Sequence, residues 1–279
     1  ANVWNIGAEG QFILGAIAGT GVALLTQGMG GPWILPAMLL AGVLGGMAWA
    51  AIPALLKTRW GVSEILVSLM LTYVAIQLLY YLVRGPWKDP AGFNFPQTIQ
   101  FGADQALPIL LAGTVLHAGV PLALGVAIIA WFIMHHSIFG FGIRVVGEAP
   151  LAARHGGFSA TRTTWAALLI GGGLAGLAGM IEAAGPFGQL TPQFPQNYGF
   201  TAIIVAFLGR LNPLGIVLAA LALAVTYVGG DIAQSTARLP QAATGVFQAL
   251  MLFILIAMDA LTKNRVILKR DVPSAGTAR

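Results

Sequence analysis

The chain reads as long apolar runs broken by short polar punctuation. Apolar runs cover Gly7–Leu25, Ile34–Leu56, Glu64–Val83, Val120–Met134, Thr164–Ala184, Leu214–Val228 and Ala242–Leu261. Most approach the ~20 residues that a helix needs to cross a bilayer. Turn signals separate them: Gly28–Pro32, Lys57-Thr58-Arg59 with Gly61 behind it, and Gly209-Arg210-Leu211-Asn212-Pro213. Two further runs are too short to cross. Leu107–Leu116 is expected to be interfacial or re-entrant, and Gly199–Leu208 covers only about half a membrane at ~1.5 Å per residue. The proline-bearing stretches Arg84–Gln105 and Gly185–Tyr198 cannot lie in hydrocarbon unsupported. His135–Thr163 and Gly230–Gln241 read as loops, and Lys263–Arg279 as a basic tail. The pattern predicts an all-α polytopic transmembrane bundle of about eight spanning or partly spanning segments.

Composition narrows the class. Only 8% of the 279 residues are charged and 57% are hydrophobic, with a mean hydropathy of +0.83. Soluble domains carry about 25% charge, so this chain cannot cover a water-facing surface and belongs in a membrane. The absence of Cys excludes disulfides and Cys-based metal sites. The net charge of +5 sits in short loops, which specifies topology and does not imply a nucleic-acid partner. With the central loop inside, Lys57, Arg59, Arg144, Arg154, Arg162, Lys263, Arg265, Lys269, Arg270 and Arg279 are cytoplasmic and Arg210 lies at an inner turn. Only Arg84, Lys88 and Arg238 fall outside, so the C-terminus is expected in the cytoplasm. The start at Ala1, without Met or a basic leader, is expected to reflect an N-terminally truncated sequence. Gly15-x-x-x-Gly19, Gly42-x-x-x-Gly46 and Gly172-x-x-x-Gly176 each put two glycines on one helix face, a device for close helix packing in lipid.

The motifs that could carry chemistry are few. There is no Gly-Lys pair for a phosphate loop, no His-Glu-x-x-His and no Gly-x-Ser-x-Gly. His117, His135, His136 and His155 form no metal pattern. No intrinsic catalysis is expected, and no cofactor bound directly. The central stretch Val145–Gly157 stands out because it is rich in Ala and Gly, as a covered segment would be. Pro150 suits a first helical turn, Leu151-Ala152-Ala153-Arg154 are good helix formers, and Gly156-Gly157 can end the helix. It reads as a cytoplasmic coupling helix pressed into a partner, with Gly147, Glu148, Pro150, Leu151, Ala152, Ala153, Arg154 and Gly156 as the coupling residues. Carboxylates at membrane depth usually face a bundle interior or an aqueous path. Glu9, with Asn5 and Gln11 beside it, suits a broken helix lining a cavity. Glu182 and Asn197 complete the candidate pathway set.

The stretches Asn5–Gln11, Gly61–Tyr73, Gly85-Pro86-Trp87 through Pro96-Gln97-Thr98, Gly142–Gly157, Gly172–Met180 and Gly199–Gly215 together resemble the membrane permeases of bacterial ATP-binding-cassette importers. The class includes branched-chain amino acid, ribose and nucleoside systems, and the chain looks most like the nucleoside, or simple-sugar, branch. The match runs from residue 5 to about 262. It departs at Glu148-Ala149-Pro150, where Asn-Pro is common, and at Thr72, where the nucleoside branch often has Asn. The resemblance implies a permease domain over residues 1–262, including a coupling loop 136–163, with the cytoplasmic tail 263–279 behind it. It implies a separate cytoplasmic ATP-binding subunit that carries the ATP and Mg. It implies a second permease, identical or homologous, an extracytoplasmic binding protein or lipoprotein, and a bacterial inner-membrane location in contact with lipid. The function expected is import of a nucleoside or simple sugar by alternating access. The alternative is an ion-coupled secondary transporter using Glu9 and Glu182.

Overall fold

The structure is a computed structural model that describes residues 1–111 and 113–237, with isolated helical positions between 245 and 261. It divides into two bodies, Ala1–Val217 and Leu218–Arg279. The helices are α1 (Ala8–Leu25), α2 (Ile34–Trp60), α3 (Glu64–Arg84), α4 (Gly119–His136), α5 (Ile138–Glu148), α6 (Pro150–His155), α7 (Ala160–Glu182), α8 (Tyr198–Leu208) and α9 (Pro213–Ala237). A π-helical turn, Ala183–Phe187, extends α7. Six segments among the described residues are long and apolar enough to cross a membrane, and α8 is a shorter apolar helix. The expected all-α membrane bundle is therefore observed.

Local chemistry explains the boundaries. Gly61, with φ +67°, closes α2: its N–H reaches the Lys57 carbonyl at 3.0 Å and the Val62 N–H reaches that of Leu56 at 3.3 Å. This double bond satisfies carbonyls that a helix end leaves free, and a left-handed residue permits it. Across that turn Lys57 pairs with Glu64 at the start of α3. The Trp4 N–H also donates to Glu64 at 3.4 Å.

Two sequence expectations need correction. The central stretch His135–Thr163 is not a loop with one short helix, because α5 occupies Ile138–Glu148 ahead of α6. Ser137 caps α5 by accepting the Gly140 N–H at 3.0 Å, which offsets the poor helix propensity of Gly140, Gly142 and Gly147. The run 107–116 holds no helix among its described residues, and Ile109 makes an antiparallel bridge with His117. The helix predicted to stop at Val228 continues through Gly229 and Gly230 to Ala237. The predicted last span, 242–261, and the tail, 263–279, lie outside the continuously described residues.

The core of the first body is a meeting of α1, α2 and α7. A Cβ placed at Gly15 would overlap the Gly176 backbone, one at Gly46 the Gly172 carbonyl, one at Gly176 the Gly42 carbonyl, and one at Gly179 the Phe12 carbonyl. The helices touch backbone to backbone, as apolar solvent requires when hydrophobic exclusion cannot hold them together. Ile13, Ala16, Met38, Ala50, Leu168 and Met180 fill the seam around these contacts. α3 packs the face carrying Ser68 and Thr72 against Gly7 and Gly10. The polar segment after α3 is tied down as well. The Gln105 side-chain amide donates to the Ala23 carbonyl at 2.8 Å, and the Leu107 N–H to the Ala184 carbonyl at 2.9 Å.

Gly176→Leu is expected to force α2 and α7 apart and cost about 3 kcal/mol or more. The reading is a lower thermal midpoint for the detergent-solubilised protein. Gly125→Leu on α4, where a Cβ meets nothing within 4 Å, should leave that midpoint unchanged. Equal behaviour of the two variants would refute the close-packing account.

Candidate functional site

The chain between α7 and α8 unwinds inside the bundle. Leu190 is held at one level by Thr98, whose N–H donates to the Leu190 carbonyl at 3.0 Å and whose hydroxyl accepts the Leu190 N–H at 2.9 Å. Thr98 belongs to the segment that follows the Arg84 end of α3. From there the chain runs inward. Phe194 is fully buried and stacks on Phe12 with centroids 5.2 Å apart. α8 then starts and covers about 16 Å in its 11 residues. Its last turn brings Phe207 against Trp4, centroids 5.6 Å apart, and Trp4 sits beside Glu64 at the opposite end of α3. α8 is thus a half-length helix, as the short Gly199–Leu208 run requires, and its start is buried at Gly199 while Asn197 and Tyr198 are exposed.

A helix that starts inside a membrane bundle leaves backbone N–H groups with no water to meet them. Glu9 meets them here. One carboxylate oxygen accepts the Asn197 N–H at 2.9 Å and the other accepts the Gly199 N–H at 2.7 Å. Glu9 is fully buried, and the positive end of the α8 dipole favours its charge. Asn197 turns into α8 with φ +62°, which Asn tolerates better than most residues. A Cβ at position 199 would overlap the backbone of Glu9, so Gly there is what lets the two helix starts touch. Beside this contact the side-chain amides of Asn5 and Gln11 bond reciprocally at 2.7 and 3.0 Å.

The structure therefore gathers Asn5, Glu9, Gln11 and Asn197 into one region, with Glu9 in the first turn of an unbroken helix α1. Glu182 is not joined to them by any hydrogen bond among the described residues; it is half-buried at the end of α7, just ahead of the π-helical turn. Gly199 joins the site although the sequence pattern does not single it out. A signal exists, since it stands two positions after Asn197 at a helix start, but its partner lies 190 residues away.

The second element is the α5–α6 foot. Val146 and Ala153 are buried on its inner side. Phe158 folds back over it, against Gly142 and edge-on to Phe141 at 5.9 Å. The Phe158 N–H donates to the Ala153 carbonyl at 2.9 Å, after a turn at Gly157 with φ +80°. Pro150 occupies the first turn of α6 as expected. Glu148, Pro150, Leu151, Ala152, Arg154 and Gly156 are exposed, and Leu151 is 78% exposed. Ala153 faces inward, and Gly147 lies on α5 next to Ala1.

A family model described as the permease component of the branched-chain amino acid transport system matches residues 1–256. The glucose ABC transporter permease protein TsgB13 of Haloferax volcanii is 39% identical, over 95% of this chain and 72% of its own. The guanosine ABC transporter permease protein NupP of Bacillus subtilis is 33% identical, over 81% of this chain and 66% of its own. The nucleoside ABC transporter permease protein NupB of Lactococcus lactis is 26% identical, over 91% of this chain and 72% of its own. No solved structure matches the chain.

Glu9→Gln would keep the shape of the cap but turn an amide N–H toward a backbone N–H. It is expected to lower stability by about 2 kcal/mol, read as a drop in thermal midpoint in detergent without any added solute. An unchanged midpoint would show that the α1–α8 contact contributes nothing to the fold.

Proposed function

The chain belongs to the branched-chain amino acid transport system permease family, and we propose that it carries a simple sugar or a nucleoside inward, driven by a partner ATPase that grips the α5–α6 foot. It is a multi-pass membrane permease of the ABC importer class. In this reading ATP and Mg bind the partner, and the chain converts the partner's closure into movement of its own helices. A second permease, identical or homologous, completes the pathway, and an extracytoplasmic binding protein delivers the solute. The foot, Arg59 and the C-terminal tail face the cytoplasm, as the distribution of Lys and Arg favours.

The observation that carries the proposal is the outward face of α6. A six-residue helix outside the spans presents Leu151, Arg154 and His155 to solvent while Ala153 anchors it from behind. An exposed leucine beside a cation on a braced helix has the make-up of an interface anchor. The solute class follows from the site and from what the relatives are named for. Among the described residues, every Lys and Arg of a candidate span lies in a terminal turn: Lys57, Arg59, Arg84 and Arg162. The α8 N-terminus, the natural cradle for an anion, is already filled by Glu9. An uncharged solute fits such a bundle, and glucose and guanosine are the solutes in the relatives' names. The same occupation of Glu9 counts against an ion-coupled transporter, which needs that carboxylate free to exchange protons.

Arg154→Glu is expected to lower co-purification of the partner ATP-binding subunit about tenfold or more, since like charge at a docking site costs several kcal/mol. The thermal midpoint of the isolated permease should not change. Wild-type recovery of the partner with this variant would remove α6 from the interface.

A further inference from the structure

The face of α3 that turns away from the bundle mixes apolar side chains near its start with polar ones toward its Arg84 end. The buried side of α3 carries Glu64, Ser68, Thr72, Ala75, Leu79 and Val83. At 3.6 residues per turn the opposite side, about 140° around the helix, carries Leu66, Tyr73, Gln77, Tyr80 and Arg84, with Met70, Val74 and Tyr81 at its margin. Tyr73 and Tyr81 are 62% and 66% exposed, and Gln77 is exposed as well. Tyr80, Tyr81 and Arg84 alone would be an ordinary interfacial belt at a helix end. Gln77 and Tyr73 are not. They lie about 10 and 16 Å further along the helix from Arg84, inside the hydrocarbon. Neither makes a hydrogen bond among the described residues. Leaving an amide unpaired in hydrocarbon costs about 2–7 kcal/mol, so lipid tails do not cover this face.

A second helix does not suit it either. Contacts between membrane helices favour Gly, Ala and Ser, as α1, α2 and α7 show, whereas this stripe is built from bulky side chains. What the face does hold is an open cleft of about 420 Å³ lined by Gln77, Tyr80, Tyr81, Arg84 and Gly85. The Arg84 guanidinium lies over the Tyr80 ring, 5.0 Å from its centroid, and so is fixed at the rim.

We infer that this face of α3 lines the solute path and binds an uncharged, ring-bearing solute, with Tyr81 and Tyr80 stacking on its ring and Gln77 pairing with its hydroxyl or amide edge. The inference rests on the importer reading and deepens it. A pyranose face and a nucleobase share this chemistry, so both enter the test.

The chain contains no Cys, so a single introduced thiol reports cleanly. Gln77→Cys, Tyr81→Cys and Leu44→Cys, the last at an exposed apolar position of α2, are made in the assembled importer in proteoliposomes. They are treated with a charged, membrane-impermeant methanethiosulfonate. The thiolate forms only where water reaches it, so the thiols of the α3 variants Q77C and Y81C are expected to react at least about tenfold faster than that of L44C. Guanosine or glucose should slow that reaction several-fold. Protection by guanosine alone assigns a nucleobase, and protection by glucose alone a pyranose. Two results overturn the inference: equally slow reaction of Q77C and L44C, or protection by neither solute. ATP-dependent uptake by the complex carrying the unmodified, Cys-free permease is measured alongside. Uptake that persists while the Q77C thiol stays inert rejects this face alone, and uptake indifferent to the ATPase rejects the importer reading itself.

Discussion

A break in a helix inside a membrane bundle exposes backbone groups that only protein can satisfy, and this bundle is arranged around satisfying one such break. The Gly188–Asn197 stretch leaves the helical path, and α8 restarts with Gly199 buried against Glu9 while Asn197 and Tyr198 stay exposed. Glu9 supplies both acceptors for the restart. Its own position is fixed from three sides: α1 lies on α7 through Gly15 and Gly176, on α3 through Gly10 and Thr72, and on α8 through Gly199. A buried carboxylate is costly unless it is fully bonded. Here its charge meets the positive end of a short helix, so the cost of burial and the cost of the break offset each other.

That arrangement gives the foot something rigid to act on. α6 is clasped by Phe158, and Ser159 directly after it caps α7 by accepting the Arg162 N–H at 3.4 Å. α7 packs along α1 and α2 through glycine contacts that tolerate sliding poorly, because any bulge would separate backbones already touching. In the reading proposed above, a displacement of α6 would reach α7 directly, α1 through α7, and the start of α8 through Glu9. The π-helical turn at Ala183–Phe187, which contains Pro186, sits where α7 gives way to the unwound stretch. Such turns mark places where a helix loosens without losing its course.

How much of this the sequence discloses depends on the range of the interaction. The spans are legible because hydrocarbon length and helix rise fix their size, and α1, α2, α3, α4 and α7 begin and end within a few residues of the apolar runs. The glycine ridges are legible as contact faces. α5 is not, because its glycines argue against a helix and its cap and its cover, Ser137 and Phe158, act only once the chain has folded back. The end of α9 departs from expectation for a similar reason, since the pair Gly229-Gly230 signals a break in water that a helix in an apolar setting need not obey. Polar side chains at mid-span, Gln77 above all, stand in the sequence for anyone to read, but a sequence does not say which way a helix turns them.

By itself, then, the sequence determined the solvent, the number and length of most spans, and the presence of a compact polar foot between them. Each of these follows from local hydropathy and from the reach of a helix. Only the tertiary structure decided which glycines meet, that Glu9 serves the start of a helix 190 residues away, and that Gln77 and Tyr73 look outward from α3 beside its exposed apolar side chains. Those are choices of partner and direction, set when distant backbone groups must all be bonded at once, and no local pattern records them.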